Sequence, residues 1–250
     1  MTDPSIQASG LGRAYDDRWA VRNLELRIAP GELYGFLGPN GAGKTTTIRM
    51  LAGLLQPSEG TVRIQGLDYG SDAHRIKTLL GLVPDTPPLY DYLTGRQYIS
   101  LVSSLWSIDS KTRDERSARL MDALAIDEAA DELCKSYSHG TRKKVHIAAV
   151  LTTGPEVLLL DEPTTGLDPR SARALKDLLL HEARQGMTIL LSTHVLETAE
   201  QVCDRVGILY RGQLVSEGTV EELRNQRGAG SLEDVFLQLT ADDQSLPSDD

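Results

Sequence analysis

Residues 38–45 read Gly-Pro-Asn-Gly-Ala-Gly-Lys-Thr and directly follow the apolar run Leu-Tyr-Gly-Phe-Leu at 33–37. They match the phosphate-binding loop pattern G-x-x-x-x-G-K-[ST] at every position. The glycines let successive backbone N–H groups point into one concavity, which a Cβ would obstruct. The residues after the loop read as a helix whose N-terminus faces the same anion. A strand, this loop and a helix, in this order, predict that the chain binds a nucleoside triphosphate.

Each residue of the loop has a predicted part in the nucleotide site. Lys44 can reach the terminal phosphates, and the Thr45 hydroxyl can ligate Mg²⁺. The residues predicted to contact the nucleotide here are Gly38, Pro39, Asn40, Gly41, Ala42, Gly43, Lys44, Thr45 and Thr46. The alternative is an ordinary Gly-rich turn, which does not require the flanking strand and helix that this chain has.

Composition describes an ordinary soluble globular chain: 250 residues, 40% apolar and 25% charged. The longest apolar runs are far shorter than a membrane span, and the first residues lack the basic and apolar regions of a secretory signal. The formal net charge of −10 argues against nucleic acid as a partner, because backbone phosphates attract a basic surface. These features favour a cytoplasmic protein with a substantial core.

Hydrophobic patterns predict an α/β fold. Strands are expected at 20–28, 33–37 and 61–64, and the short strands around the loop suggest a small antiparallel sheet beside the nucleotide. The apolar runs 157–160 and 188–192 suit buried parallel strands. An amphipathic helix at 172–185 would join them in a βαβ unit. Residues 206–215 read as a closing hairpin, followed by helices at 221–225 and 232–239.

The pattern changes after residue 85, where prolines bracket a connector. Helical periodicity at 93–105, 111–124 and 127–134 then predicts a helical lobe at roughly 86–150, inserted in a single domain that spans 1–240. Residues 241–250 form an acidic tail that we expect to be disordered.

Two carboxylates, Asp161 and Glu162, directly follow the apolar run 158–160. Ligands of α/β sheets collect at the carboxyl ends of parallel strands. Asp161 can therefore hold Mg²⁺ opposite Thr45, and Glu162 can act as general base toward an attacking water. Acids after a strand are more often a solvated loop or a helix cap. The phosphate loop upstream and the following segment Pro-Thr-Thr-Gly-Leu-Asp at 163–168 favour the catalytic interpretation over a solvated loop or a helix cap.

Four further residues are unspecific when each is considered alone. Ser138 is a good helix N-cap in Tyr-Ser-His-Gly-Thr, residues 137–141. His194 is a lone histidine after the strand at 188–192, and Tyr15 is a single aromatic near the N-terminus. Gly140 permits close backbone approach. It is their order along the chain that makes them informative.

Taken together, these motifs resemble the nucleotide-binding subunit of an ATP-binding cassette (ABC) transporter over nearly the whole chain. The resemblance implies the ABC ATPase fold: a P-loop NTPase core with a mixed sheet, a small antiparallel β subdomain and a helical lobe. It implies ATP and Mg²⁺ as ligands, with Tyr15 stacked on adenine and His194 at the γ-phosphate. Ser138 and Gly140 would cap the ATP of a second subunit, and Asp168 would lie at the dimer interface.

The sequence departs from the family pattern at two places. The usual glutamine between sheet and lobe falls at Asp85, a carboxylate that can still bind water or Mg²⁺. The signature motif reads Tyr-Ser-His-Gly-Thr where Leu-Ser-Gly-Gly-Gln is usual, so that His139 replaces a glycine. Ser138 and Gly140, the two positions with direct phosphate chemistry in the family, are kept.

The connector at 84–90 and the terminal segment 231–237 look like those of ABC-2 type exporter ATPases. The resemblance implies a second ATPase subunit, in a homodimer, and a separate membrane permease that holds the chain at the inner face of the membrane. The connector, with Leu89, Tyr90 and Leu93 as an apolar floor, is predicted to receive a short permease helix. A soluble scaffold ATPase that assembles iron–sulfur clusters is the open alternative. A chromosome-maintenance or ribosome-associated ATPase is the third alternative; it predicts a long coiled-coil insertion or a duplicated cassette, and this sequence has neither.

Overall fold

A computed structural model describes residues 3–227 and 231–241. The ten strands of this part of the chain are β1 Ile6–Tyr15, β2 Arg18–Ile28, β3 Leu33–Leu37, β4 Glu59–Ile64, β5 Leu67–Asp68, β6 Leu80–Val83, β7 Val157–Asp161, β8 Thr188–Thr193, β9 Arg205–Tyr210 and β10 Gln213–Gly218. Its α-helices are α1 Lys44–Leu51, α2 Tyr69–Leu79, α3 Gly95–Leu105, α4 Ser110–Ala123, α5 His139–Thr152, α6 Pro169–Arg184, α7 Leu196–Val202, α8 Val220–Arg227 and α9 Leu232–Ala241. None of these helices is long and apolar enough to cross a bilayer.

Six strands form the central sheet in the order β10-β9-β3-β8-β7-β6. Strand β3 runs parallel to both β8 and β9, and the series β8, β7, β6 continues in parallel. Strands β3, β7 and β8 are buried along their whole length, because side chains from their two faces pack into two apolar clusters. The predicted buried parallel strands and the closing hairpin of β9 and β10 are confirmed.

A second sheet, with the order β2-β1-β4-β5, is antiparallel throughout. The predicted small antiparallel sheet is therefore present. Its first two strands have ten and eleven residues, and the second begins two residues before the predicted strand at 20–28. Buried side chains of this sheet, such as Ile6 and Leu26, share one apolar cluster with Phe36 and Ile48. The second sheet thus packs on the same core as the strand and helix that flank the phosphate loop.

Helix α6 is the crossover between parallel strands β7 and β8. Asp168 caps its N-terminus by accepting the N–H groups of Arg170 and Ser171, and Pro169 occupies the first helical position. Leu175 and Leu179 on its buried face pack into the cluster beneath the sheet. The predicted βαβ unit is confirmed, with a helix that begins three residues earlier than expected.

The helical lobe contains α3, α4 and α5, but the helix predicted at 127–134 is wrong. Two single 3₁₀ turns lie there instead, at Ala129–Asp131 and Cys134–Ser136. The backbone between them is extended, and Leu133 forms a β-bridge with Thr94 while the Cys134 N–H donates to the Leu93 carbonyl. These pairings with the start of α3 replace the i→i−4 bonds that an α-helix would need.

Helix α2 was not predicted from the sequence. Only Ile76 of its eleven residues is buried, so the apolar periodicity is weak. Gly70 lies in the first turn and Asp72 has non-helical dihedral angles, which further obscures the pattern. Near the C-terminus, α9 extends through Ala241, the first residue of the predicted acidic tail. The rest of that tail, 242–250, lies outside the described residues.

His146 on α5 links the lobe to the central sheet. Its Nδ1 lies 2.8 Å from the Tyr98 hydroxyl on α3, and its Nε2 lies 3.3 Å from the Leu82 carbonyl on β6. A neutral ring satisfies both contacts when Nε2–H donates and Nδ1 accepts. Burial lowers the pKa of His146 to about 4. The folded protein therefore holds this ring neutral where an unfolded chain would protonate it.

We expect this histidine to make stability depend on pH. Because the folded pKa is depressed, its contribution is complete above pH 6.5 and is lost as the pH falls toward about 4. Between pH 7 and pH 5 the loss amounts to about 2 kcal/mol of unfolding free energy. Urea titrations at both pH values will show this loss in the parent and a smaller one in His146→Gln. An equal loss in both proteins would contradict the assignment.

Candidate functional site

Four neighbouring parallel strands end at one edge of the central sheet, and each leads into a predicted site residue. Strand β3 leads into the phosphate loop and β8 into His194. Strand β7 ends at Asp161, with Glu162 next, and β6 leads into Asp85. The order β3-β8-β7-β6 places all of them side by side, at the carboxyl ends where α/β sheets bind ligands.

The phosphate loop curls tightly around the lysine side chain. Gly43 has φ +106°, which L side chains rarely adopt, and a Cβ there would come within 2.5 Å of the Ala20 carbonyl oxygen. The Lys44 ammonium donates to the carbonyls of Gly38 (2.6 Å) and Pro39 (3.2 Å). Thr46 continues α1 beside Thr45. The N-terminus of α1 and this ammonium make the loop a cradle for an anion.

Thr45 and Asp161, the predicted magnesium ligands, are in direct contact. The Thr45 hydroxyl donates to Asp161 Oδ2 at 2.7 Å, and the Ser192 hydroxyl donates to Asp161 Oδ1 at 2.6 Å. Ser192 lies opposite Asp161 in the register of β7 and β8. Its polar side chain at the end of the apolar run 188–191 was a signal that the sequence reasoning did not use. The contact orients a buried carboxylate toward the loop.

The Glu162 carboxylate lies between a lysine and a histidine. Its Oε2 is 3.0 Å from His194 Nδ1, and its Oε1 is 3.3 Å from Lys44 Nζ. Oε1 is buried yet accepts no hydrogen bond among the described residues, so it meets the lysine as an ion pair only. A buried carboxylate oxygen with accepting capacity left, beside the phosphate loop, is placed to accept the proton of a water molecule.

The donor set at this edge fits Mg²⁺. Thr45, Asp161 and Asp85 line one cavity of about 270 Å³ beside α1, and all three offer oxygen. Within the described ranges, no three His, Cys, Asp or Glu residues converge as a metal cluster. Mg²⁺ does not require one, because it keeps several waters and binds one or two carboxylates together with substrate phosphates. Whether Asp85 contacts the ion stays a prediction.

Tyr15 lines a larger cavity on the other side of the loop, of about 1100 Å³. The loop contributes four of its predicted residues to the wall: Pro39, Asn40, Gly41 and Ala42. Tyr15 is half exposed, and the Arg13 guanidinium lies 5.0 Å from its ring centroid. Trp19 and Tyr210 line the same cavity and were not predicted. Both residues are distant from the loop in the sequence, and no motif connects them with it.

The signature residues lie apart from the phosphate loop. Ser138 caps α5 by accepting the Thr141 N–H at 3.1 Å. Neither cavity beside the loop includes Ser138, Gly140 or Asp168 in its wall. A Cβ on Gly140 would lie 3.0 Å from the Gly166 carbonyl oxygen, so the signature packs against the turn that precedes Asp168. Gly140 is therefore close to the residues that directly precede Asp168, and we call the surface that carries Ser138, Gly140 and Asp168 the signature surface.

Comparison with known proteins decides the family. The profile of the family described as ABC transporter matches residues 21–165, which include the phosphate loop, the signature and the carboxylates of Asp161 and Glu162. The chain belongs to the ABC transporter family. The resemblance stated from the sequence, and the fold class expected from it, are confirmed. Membership in the family implies ATP binding, generally with Mg²⁺, and ATP hydrolysis.

Two relatives are drug-resistance proteins. The daunorubicin/doxorubicin resistance ATP-binding protein DrrA of Streptomyces peucetius is 39% identical over 228 residues, which cover 91% of this chain and 69% of the relative. The linearmycin resistance ATP-binding protein LnrL of Bacillus subtilis is 31% identical over 235 residues, or 94% and 74% of the two chains. A solved structure of an ATP-binding subunit of an ABC transporter covers 94% of this chain and 99% of its own, with a TM-score of 0.89 and 29% identity. This ABC chain is an ATP-binding subunit of a transporter.

Proposed function

We propose that this ABC ATPase is the motor of an exporter. It binds Mg-ATP, closes as a dimer around two ATP molecules, and drives export through a separate membrane permease. The observation that best supports ATP hydrolysis is the position of the Glu162 carboxylate, which lies between Lys44 and His194 and beside the Thr45–Asp161 pair. The resistance proteins among the relatives support export of a drug-like or antibiotic-like compound.

In this mechanism each residue acts at a stated place. Lys44 and the loop N–H groups would hold the β- and γ-phosphates, and Thr45 and Asp161 would hold Mg²⁺, which would supply positive charge against the charge on the phosphates. Glu162 orients water and accepts its proton, while His194 fixes the direction of that carboxylate and reaches the γ-phosphate. Tyr15 stacks on the base in the large cavity.

The separate signature surface supports the dimer. Ser138 stands at the N-terminus of a fourteen-residue helix, an end that favours anions. Because it shares no cavity with this chain's own phosphate loop, a γ-phosphate capped by Ser138 and Gly140 would belong to the second subunit's ATP. Asp168, which directly follows Gly166 and Leu167, the residues that lie against Gly140, would then lie at the interface.

The predicted floor for the permease helix is only partly open at the surface. Leu89 lines a cavity of about 500 Å³ together with Tyr90 and Leu93, but it is only 8% exposed and belongs to the core of the lobe. A cavity of about 320 Å³ lies nearby at the seam between sheet and lobe, where α1, α2 and β6 meet α3 and α5. Its apolar wall includes Leu54, Leu82 and Trp106. A permease helix bound at this seam would contact both the sheet core and the helical lobe, and we propose the seam as its docking site.

Charge at the seam is expected to release the permease. Trp106 is 38% exposed in the cavity wall, whereas its neighbour Leu105 is 70% exposed and outside it. The tagged chain, purified from membranes, should bring down a polytopic membrane protein identified by mass spectrometry. Trp106→Glu should lose this protein, and Leu105→Glu should keep it.

The same experiment separates the proposal from its alternatives. If the parent chain brings down no membrane protein but a soluble assembly complex, the chain is a scaffold ATPase. If Tyr90→Glu, on the exposed part of the connector, is the variant that loses the permease, the docking site is the connector and not the seam.

A further inference from the structure

Lys143, on the second turn of α5, is a buried cation that the mechanism above does not use. Its side chain is 0% exposed, although an exposed position is usual for lysine. The ammonium has three donors and makes three contacts: the Glu162 carbonyl at 2.8 Å, the Thr165 carbonyl at 3.0 Å and Asp85 Oδ1 at 3.1 Å. Every donor is therefore used, which offsets the cost of burying the charge.

The first two contacts fix the turn that carries the catalytic carboxylate. Glu162 has φ +49°, a left-handed conformation that is strained for a non-glycine residue and persists only when its surroundings hold it. Its N–H donates to Ser192, with the carbonyl oxygen at 3.2 Å and the hydroxyl at 3.1 Å. Its carbonyl accepts from Lys143. Both backbone polar groups of Glu162 are thus anchored, which fixes where the side chain leaves the backbone.

The third contact supplies the counter-charge. Asp85 lies on the connector after β6 and is half exposed, whereas Lys143 is fully buried. One carboxylate oxygen pairs with the ammonium, so the buried charge is balanced from the solvent side. A cation without this partner would be held by carbonyl dipoles alone, which costs stability.

We propose that Lys143 is a positioning residue for hydrolysis, holding the left-handed turn at Glu162 and taking its charge balance from Asp85. The proposal rests on the proposed role of Glu162 as base. Lys143 contacts the backbone of Glu162 and acts through the direction that this contact gives to the Glu162 carboxylate.

The test is the steady-state ATPase rate of Lys143→Met, a variant of similar length without charge or donors. We expect kcat to fall about 10- to 100-fold, because a misplaced reacting group loses rate on that scale. The KM for ATP should change less than about twofold. Lys143→Arg, which keeps a cation and its donors, should recover part of kcat. A raised KM with kcat unchanged would overturn the proposal.

A double-mutant cycle gives a readout that a merely structural role would not produce. In a Glu162→Gln background, single-turnover measurements should show that Lys143→Met costs little more, because the carboxylate that it positions is already gone. An equal fold loss in both backgrounds would overturn the proposal. If Glu162→Gln alone hydrolysed at the parent rate, the base assignment would fail instead, and the two failures are distinguishable.

Asp85→Asn covers the case in which Lys143→Met fails to fold, since its half-exposed side chain keeps one oxygen acceptor. We expect a smaller fall in kcat, no addition to the effect of Lys143→Met, and an unchanged Mg²⁺ concentration for half-maximal rate. If kcat at saturating Mg²⁺ were normal and only the Mg²⁺ requirement rose, Asp85 would be a metal contact and not the partner of Lys143.

Discussion

Glu162→Gln is expected to lower the rate of ATP hydrolysis by about 10²–10⁴, the usual contribution of a general base. Glutamine keeps the shape of the side chain and can still contact Lys44 and His194, which lie 3.3 Å and 3.0 Å from the carboxylate. It cannot accept a proton from water. Phosphate release at saturating Mg-ATP measures the change.

The same variant should bind Mg-ATP at least as tightly as the parent, measured by calorimetry. The carboxylate is a negative charge beside the phosphate loop, so its removal does not weaken the attraction for phosphates. Glu233→Gln, at the start of α9, is the matched control and should hydrolyse ATP at the parent rate. Parent-level hydrolysis by Glu162→Gln would remove Glu162 from its role.

Lys44→Ala should abolish tight binding of Mg-ATP. The ammonium is 6% exposed and is the cation that faces Glu162 at the loop. Without it the phosphates would meet an unbalanced carboxylate, and removing one partner of a buried charge pair typically costs about 2–5 kcal/mol. We expect affinity to fall about 100-fold or more.

The control for this variant is Lys111→Ala, which removes a lysine that is 84% exposed on α4. Calorimetry should give parent affinity for Lys111→Ala and no measurable heat for Lys44→Ala at the same ATP concentration. A thermal unfolding curve establishes that both variants are folded. Equal affinity in the two variants would refute the nucleotide site.

Local patterns predicted the parts of the site that depend on one segment. The loop at 38–45 and the carboxylates after 157–160 could be read because each follows a buried strand directly. The contact between His194 and Glu162 depends on the pairing of β7 with β8, which the chain order alone does not specify. The family resemblance predicted His194 as a site residue, and the register of β7 and β8 explains why it lies beside Glu162.

Other residues were missed or misread for physical reasons. Lys143 follows the signature on a helix, where a lysine normally reads as a solvated surface residue. Its burial depends on carbonyls nineteen and twenty-two residues away. Leu89 was predicted to lie in the floor of a docking groove, because an apolar residue near prolines gives the same pattern whether it lines a groove or packs the core. Only packing in the lobe separates the two cases.

We expect ATP to be enclosed between two copies of this chain. The formal charge of −10 on each copy opposes their association, so the bound phosphates and the signature helices must provide the attraction. Glu162→Gln should preserve that closed state because it binds ATP without consuming it. Ser138→Arg, which places a bulky side chain at the capping helix end, serves as the disrupting control.

The most direct test is the molar mass of Glu162→Gln, measured by size-exclusion chromatography with light scattering, with and without Mg-ATP. Without nucleotide we expect a monomer of about 27.3 kDa, and with Mg-ATP a dimer of twice that mass. The double variant, which also carries Ser138→Arg, should stay a monomer under both conditions. A Glu162→Gln protein that binds Mg-ATP and stays monomeric would contradict the enclosure of ATP between two copies.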